Sequence, residues 1–177
     1  MLDYCKFYNL EQYLFDEVGQ RYRKDGKISS LDFFLILHWK SPRAKTRARD
    51  RLKKKVESFD RAIRQITTSL HKENDPKKRL QILMQRWGFR LPTATAILTV
   101  LYPDCFTVYD VRVRKVVGFR PIKEIYSERT WDATWKDYLA FKKRVIAKTP
   151  RGLCLRDRDR FLWGKSLFES AKRDHKK

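Results

Sequence analysis

This sequence has little with which to build a metal centre. Its three cysteines (Cys5, Cys105, Cys154) lie far apart, and its three histidines (His38, His71, His175) show no ligand spacing. No C-x-x-C pair occurs, which excludes a zinc ribbon, a four-cysteine zinc site or an iron–sulfur cluster built from this chain alone. No metal or other cofactor is expected. Long apolar runs are also missing: no window approaches the ~18–20 uncharged apolar residues of a membrane span. The opening Met-Leu-Asp-Tyr-Cys-Lys-Phe lacks the basic-then-apolar profile of a secretory signal. A cytoplasmic or nucleoid-associated protein (nuclear in a eukaryote), away from membranes, is therefore expected. There is no internal repeat, Gly/Ser linker or low-complexity tract, and the six glycines and six prolines fall mostly between helical patterns.

Acids are scarce. Asp and Glu total 21 against 42 Lys and Arg, a formal charge of +21. The 14% aromatic content excludes a disordered basic tail, so the charge belongs to a folded chain. At 177 residues a single domain with a real core is expected. Such a balance points to a polyanionic partner, nucleic acid first, with ribosome association or an anionic membrane surface as alternatives. The charge is concentrated: residues 40–55 hold nine bases and one acid, Asp50. Beneath them Ala44, Ala48, Leu52, Val56, Phe59, Ile63, Ile66 and Leu70 recur every three or four positions. That period predicts one long helix from after Pro42 to about Lys72. Lys40, Arg43, Lys45 and Arg47 are the candidate phosphate contacts on it; a merely solvated face is the alternative.

The remaining pattern is helical throughout, and an all-α fold of seven or eight helices is expected. A helix over 10–22 closes near Gly26, and Ser30 can cap a nearly all-apolar, buried helix over 31–39. Asp75-Pro76 is an N-cap followed by proline at the first helical position, opening a helix over 77–87. A tight turn follows at 88–92, then a buried helix over 93–101 that Tyr102-Pro103 stops. Residues 105–109 are extended, and Asp110 can cap a helix through Val117. Two more helices are predicted over 128–148 and 156–172 (Phe161, Leu162, Phe168, Ala171).

One stretch is more specific. Gly88-Phe89-Arg90-Leu91-Pro92-Thr93-Ala94 is followed, after a helix and an extended link, by Val108-Tyr109-Asp110-Val111-Arg112-Val113-Arg114. This resembles the helix-hairpin-helix DNA glycosylase superfamily, whose members carry G-h-G-x-x-x-A and then V-D-x-x-V-x-R. Ala94 matches the family's small packing residue, and its sixteen-residue distance to Asp110 fits the family's spacing. The match is strong over 87–117, with the hairpin at about 86–101 and the aspartate segment at about 106–117.

The resemblance implies a monomeric DNA-binding enzyme without the family's iron–sulfur cluster. A hairpin turn that presents backbone N–H groups near a helix N-terminus suits a phosphate. By the resemblance it grips DNA backbone through Gly88, Phe89, Arg90 and Thr93, often with a monovalent cation. Arg86, Arg112 and Arg114 would neutralise flanking phosphates. Asp110 is implied as the catalytic group, facing the sugar of a flipped nucleotide and stabilising the oxocarbenium-like transition state. Where bifunctional relatives carry a Schiff-base lysine, this chain has Pro92, so the implied activity is monofunctional. Arg90 stands at the hairpin's second glycine, a costly substitution if that position needs positive φ. Trp39, Tyr109, Trp131 and Trp135 are candidate walls for the flipped base, with helical core as the alternative. The rival function is a non-catalytic hairpin module that only holds DNA; a basic RNA- or ribosome-associated protein is the third.

Overall fold

A computed structural model describes residues 4–122 and 131–175. All regular structure among them is helical: ten helices and no strand. These are α1 (Cys5–Tyr8), α2 (10–25), α3 (Ser30–Lys40), α4 (Lys45–Val56), α5 (Phe59–Lys72), α6 (76–86), α7 (Leu91–Leu101), α8 (Val111–Val116), α9 (Trp131–Ala147) and α10 (Leu155–His175). None of the described helices is long and apolar enough to cross a membrane. The chain divides into two compact units, Met1–Tyr102 and Pro103–Lys177.

Local chemistry sets the helix boundaries. Asn9, Ser29, Ser58, Asp75 and Asp110 each accept a hydrogen bond from a backbone N–H of the first turn they precede. The cap of α3 is thus Ser29 rather than Ser30, because Ser29 has the extended backbone a cap requires. That helix is buried along one face only (Asp32, Phe33, Ile36, Leu37), while Leu31 is exposed.

The long helix expected over 43–72 is two helices. Glu57 takes a left-handed conformation (φ 64°) and Ser58 an extended one, and Ser58 then accepts the Arg61 N–H at 3.4 Å to begin α5. Periodicity hides this break, because Leu52, Val56, Phe59 and Ile63 keep their spacing of three or four across it.

In the first unit α7 is the central element. Nine of its eleven residues are buried, and it packs against α2, α3 and α6. Its buried hydroxyls are satisfied within the helix: Thr95 donates to the Leu91 carbonyl and Thr99 to the Thr95 carbonyl, each at 2.7 Å. Gly19 on α2 explains the close approach, since a Cβ there would lie 2.5 Å from the Val100 carbonyl oxygen. Asp32 is the buried charge of this unit. Its carboxylate accepts from Tyr13 (2.6 Å), Ser29 (2.7 Å) and Arg21 (3.0 Å), and burial followed by this contact raises the Tyr13 pKa.

In the second unit residues 106–109 run buried through the core, with a tight turn at Tyr109 where the Asp110 N–H meets the Val108 carbonyl (2.8 Å), and lead to α8. Tyr138 of α9 fastens them. Its hydroxyl accepts the Thr107 N–H and donates to the Thr107 carbonyl, both at 3.0 Å. Phe106 stacks on Tyr138, and Tyr109 and Phe119 meet Phe141 edge-on. The first residues of the helix expected over 128–148 lie outside the described residues. In α10 the expected apolar stripe is broken: Leu162 is buried, whereas Phe161 and Phe168 are exposed.

Candidate nucleic-acid interface

The turn between α6 and α7 alternates outward and inward. Arg86, Gly88 and Arg90 are exposed, while Trp87, Phe89 and Leu91 are buried. The last turn of α6 is widened, with Trp87 N–H bonding the Ile82 carbonyl five residues back. Gly88 N–H then reaches the Met84 carbonyl (3.1 Å) and Phe89 N–H the Leu83 carbonyl (3.0 Å). This nested pair is a Schellman-type closure, each bond one residue longer because the turn it closes is wide. Gly88 has φ +68°, with open space where a Cβ would stand, so conformation and not crowding selects glycine.

Arg90 carries no backbone penalty. Its φ is −72° and ψ 154°, ordinary extended geometry that any residue adopts. It is the N-cap of α7, its carbonyl accepts the Thr93 and Ala94 N–H groups at 2.9 Å, and no side chain caps this end. The exposed guanidinium therefore stands beside the positive end of an eleven-residue helix. Thr93 is half-buried one turn further on.

The basic helix meets this turn. The Arg51 guanidinium lies 5.4 Å from the Phe89 ring, the Lys55 ammonium lies 5.7 Å from the Trp87 ring, and Lys55 donates to the Arg86 carbonyl. Arg51 and Lys55 were not singled out by the sequence, because periodicity gives the buried stripe of a helix and not the neighbour each flank will meet. Of the bases that were, Lys45 donates to the Pro42 carbonyl (3.0 Å) and Arg43 and Arg47 are exposed. No described contact brings Lys40, Arg43, Lys45 or Arg47 to the turn.

Phe89 is a core residue rather than a ligand contact: it is 1% exposed and packs 6.1 Å from Phe33. Its backbone N–H is likewise turned inward, to the Leu83 carbonyl.

In the second unit Asp110 is partly exposed, and its Oδ1 accepts the Arg112 N–H at 2.8 Å. The cap orients the carboxylate toward the N-terminus of α8. Arg112 is exposed and lies 5.6 Å over the Trp163 ring of α10. Arg114 donates to the Phe119 carbonyl at 2.8 Å and so holds the chain after α8. Tyr109 is buried, with its hydroxyl accepting the Ile122 N–H at 2.8 Å and its ring against Phe141. Trp131 is buried too, and its Nε1 has no partner among the described residues. Both belong to the core of this unit, because α9 packs directly over the extended segment. Trp39 is half-buried, edge-on to Phe15, and Trp135 is half-buried beside Tyr138.

Among the described residues no three His, Cys, Asp or Glu side chains converge as metal ligands, and the cysteines are free thiols. No family model matches the chain, and no curated protein or solved structure does either.

Proposed function

We propose that this protein holds duplex DNA by its backbone at the 87–90 turn and acts as a monofunctional DNA N-glycosylase on a modified or mismatched base. The observation that carries the binding half is the placement of Arg51 and Lys55 on the turn's own aromatic rings. A glycine turn, a side-chain-free helix N-terminus, and exposed Arg86 and Arg90 thereby share one surface with the basic helix. Phosphate oxygens are the ligands that suit such a surface, and binding to them is independent of base sequence.

The catalytic half rests on Asp110 and on the motif around it. The target nucleotide leaves the stack, since its glycosidic bond is inaccessible within the duplex. As the bond from C1′ to the base nitrogen lengthens, positive charge develops on the sugar and the Asp110 carboxylate stabilises it. Water bonds to C1′, gives up a proton toward the carboxylate, and the base leaves with the bonding pair and is protonated. One well-placed charge of this kind is worth roughly 10²- to 10³-fold. Pro92 offers no amine, so an abasic site is the product.

The test is base release. The protein is incubated with duplexes carrying alkylated, oxidised, deaminated or hypermodified bases, and free base is measured by mass spectrometry beside Asp110→Asn. Free base lost in the variant, with strand breaks only after alkali, is expected. Strand cleavage without alkali would contradict the monofunctional assignment. A second reading, a non-catalytic DNA-binding module, is favoured by the burial of Tyr109 and Trp131, which leaves them unable to wall a base site. Tight duplex binding with no base released from any substrate would establish it.

A further inference from the structure

The first unit carries a second cationic surface that the glycine-turn motif does not include. Along the outer face of α5 runs an open groove of about 800 Å³, and Arg61, Arg64 and Lys72 line it together with Gln65 and Thr68. Arg86, the residue that leads into the 87–90 turn, lines it as well. Among the described residues no carboxylate and no aromatic ring lines this groove. None of its four cations is paired with an acid among the described residues, although Asp60 and Glu73 stand on or beside the same helix. Asp60 is engaged by Ser30, and Glu73 by the Asp75 N–H at 2.9 Å.

Four unpaired positive charges around one groove repel each other, and a polyanion relieves that repulsion. The side-chain chemistry narrows the anion. Guanidinium groups fork onto phosphate oxygens, and Gln65 and Thr68 supply neutral donors between them. With no aromatic ring, there is nothing on which a base could stack. The dimension fits a strand rather than a single ion. From Arg61 to Lys72 the helix rises about 16 Å, longer than one phosphate group, so its cations reach successive phosphates of one strand.

We propose that the α5 groove is a sequence-independent track for the phosphodiester backbone of the same DNA that the 87–90 turn holds, joined to it through Arg86. This rests on the DNA-binding half of the proposed function and extends the contact surface past the basic helix.

The test is a salt series of duplex binding by the full chain, with Arg61→Gln/Arg64→Gln/Lys72→Gln beside wild type and beside Arg90→Gln at the turn. All three groove positions are exposed, so the variant should melt as wild type does, and circular dichroism checks this. Each lost phosphate contact removes about 0.9 from the slope of log affinity against log salt. A slope shallower by about two to three is expected, with affinity at low salt reduced on the order of 10- to 100-fold alike for unrelated sequences. Unchanged slope and affinity, while Arg90→Gln still weakens binding, would overturn the groove and leave the turn intact. A loss that depends on base sequence would overturn the backbone assignment. A wild-type protein that binds no duplex would overturn both.

Discussion

Tyr138→Phe removes one oxygen, yet it should cost more than most exposed substitutions in this chain. The phenol is fully buried, and its oxygen is the partner of both the N–H and the carbonyl of Thr107, each at 3.0 Å. Phenylalanine keeps the ring packing on Phe106 and Phe141 and opens no cavity of consequence, so the effect isolates the hydrogen bonds. Two backbone groups are left buried and unmatched at about 1–3 kcal/mol each, and a loss of roughly 2–4 kcal/mol is expected after partial relaxation. For a chain of this size that is roughly 4–16 °C in Tm. Urea unfolding followed by circular dichroism measures it, with Tyr8→Phe as the control because Tyr8 is 98% exposed. Thr107 lies three residues before Asp110, so the same variant should lower any Asp110-dependent activity more than it lowers DNA affinity. A stability change under about 0.5 kcal/mol, the size of an ordinary surface substitution, would mean that the Tyr138 hydroxyl does not sustain the Thr107 backbone groups.

Other outcomes follow from the same geometry. Burial raises the pKa of Tyr138 and, together with its contact to Tyr102, that of Tyr22. Unfolded tyrosines release protons near pH ~10 while these folded ones retain them; stability should fall as pH rises above that value, and urea midpoints on either side of it check the sign. Gly19→Ala should destabilise by about 1–3 kcal/mol despite alanine's better helix propensity, because its Cβ meets the Val100 carbonyl. Gly88→Ala has no such neighbour and should cost only about 1–2 kcal/mol for the left-handed backbone. Equal losses at a D-alanine placed in position 88 by chemical ligation would contradict that assignment. Glu57→Gly should stabilise slightly, on the order of 0.5–1 kcal/mol, by relieving the one positive φ found outside glycine among the described residues.

The punctuation of this fold was legible in its sequence. Asp75-Pro76, Gly26, Gly88, Tyr102-Pro103 and Asp110 each act within four residues of themselves, so local chemistry suffices to place them. The all-α class followed from the same signals. What escaped depends on partners distant in sequence. The break at Glu57-Ser58 preserves the apolar spacing and so leaves the period unchanged. Tyr109 reads as a wall for a flipped base or as core, and only Ile122 and Phe141, brought against it by the fold, show it to be core. Arg114 also donates to the Phe119 carbonyl, a bond that appears only when the chain turns back after α8. Arg51 and Lys55 differ from the other bases of their run only in which flank of α4 meets the turn, a tertiary fact.

Duplex affinity measured against salt concentration decides whether the basic helix and the glycine turn form one DNA-backbone surface. Arg51, Lys55, Arg86 and Arg90 offer about four phosphate contacts and the α5 groove about three more, so a log–log slope of roughly −6 is expected, the same for unrelated sequences. Arg51→Ala/Lys55→Ala should make it shallower by about two. A slope near zero, or no duplex binding at low salt, would rule that surface out.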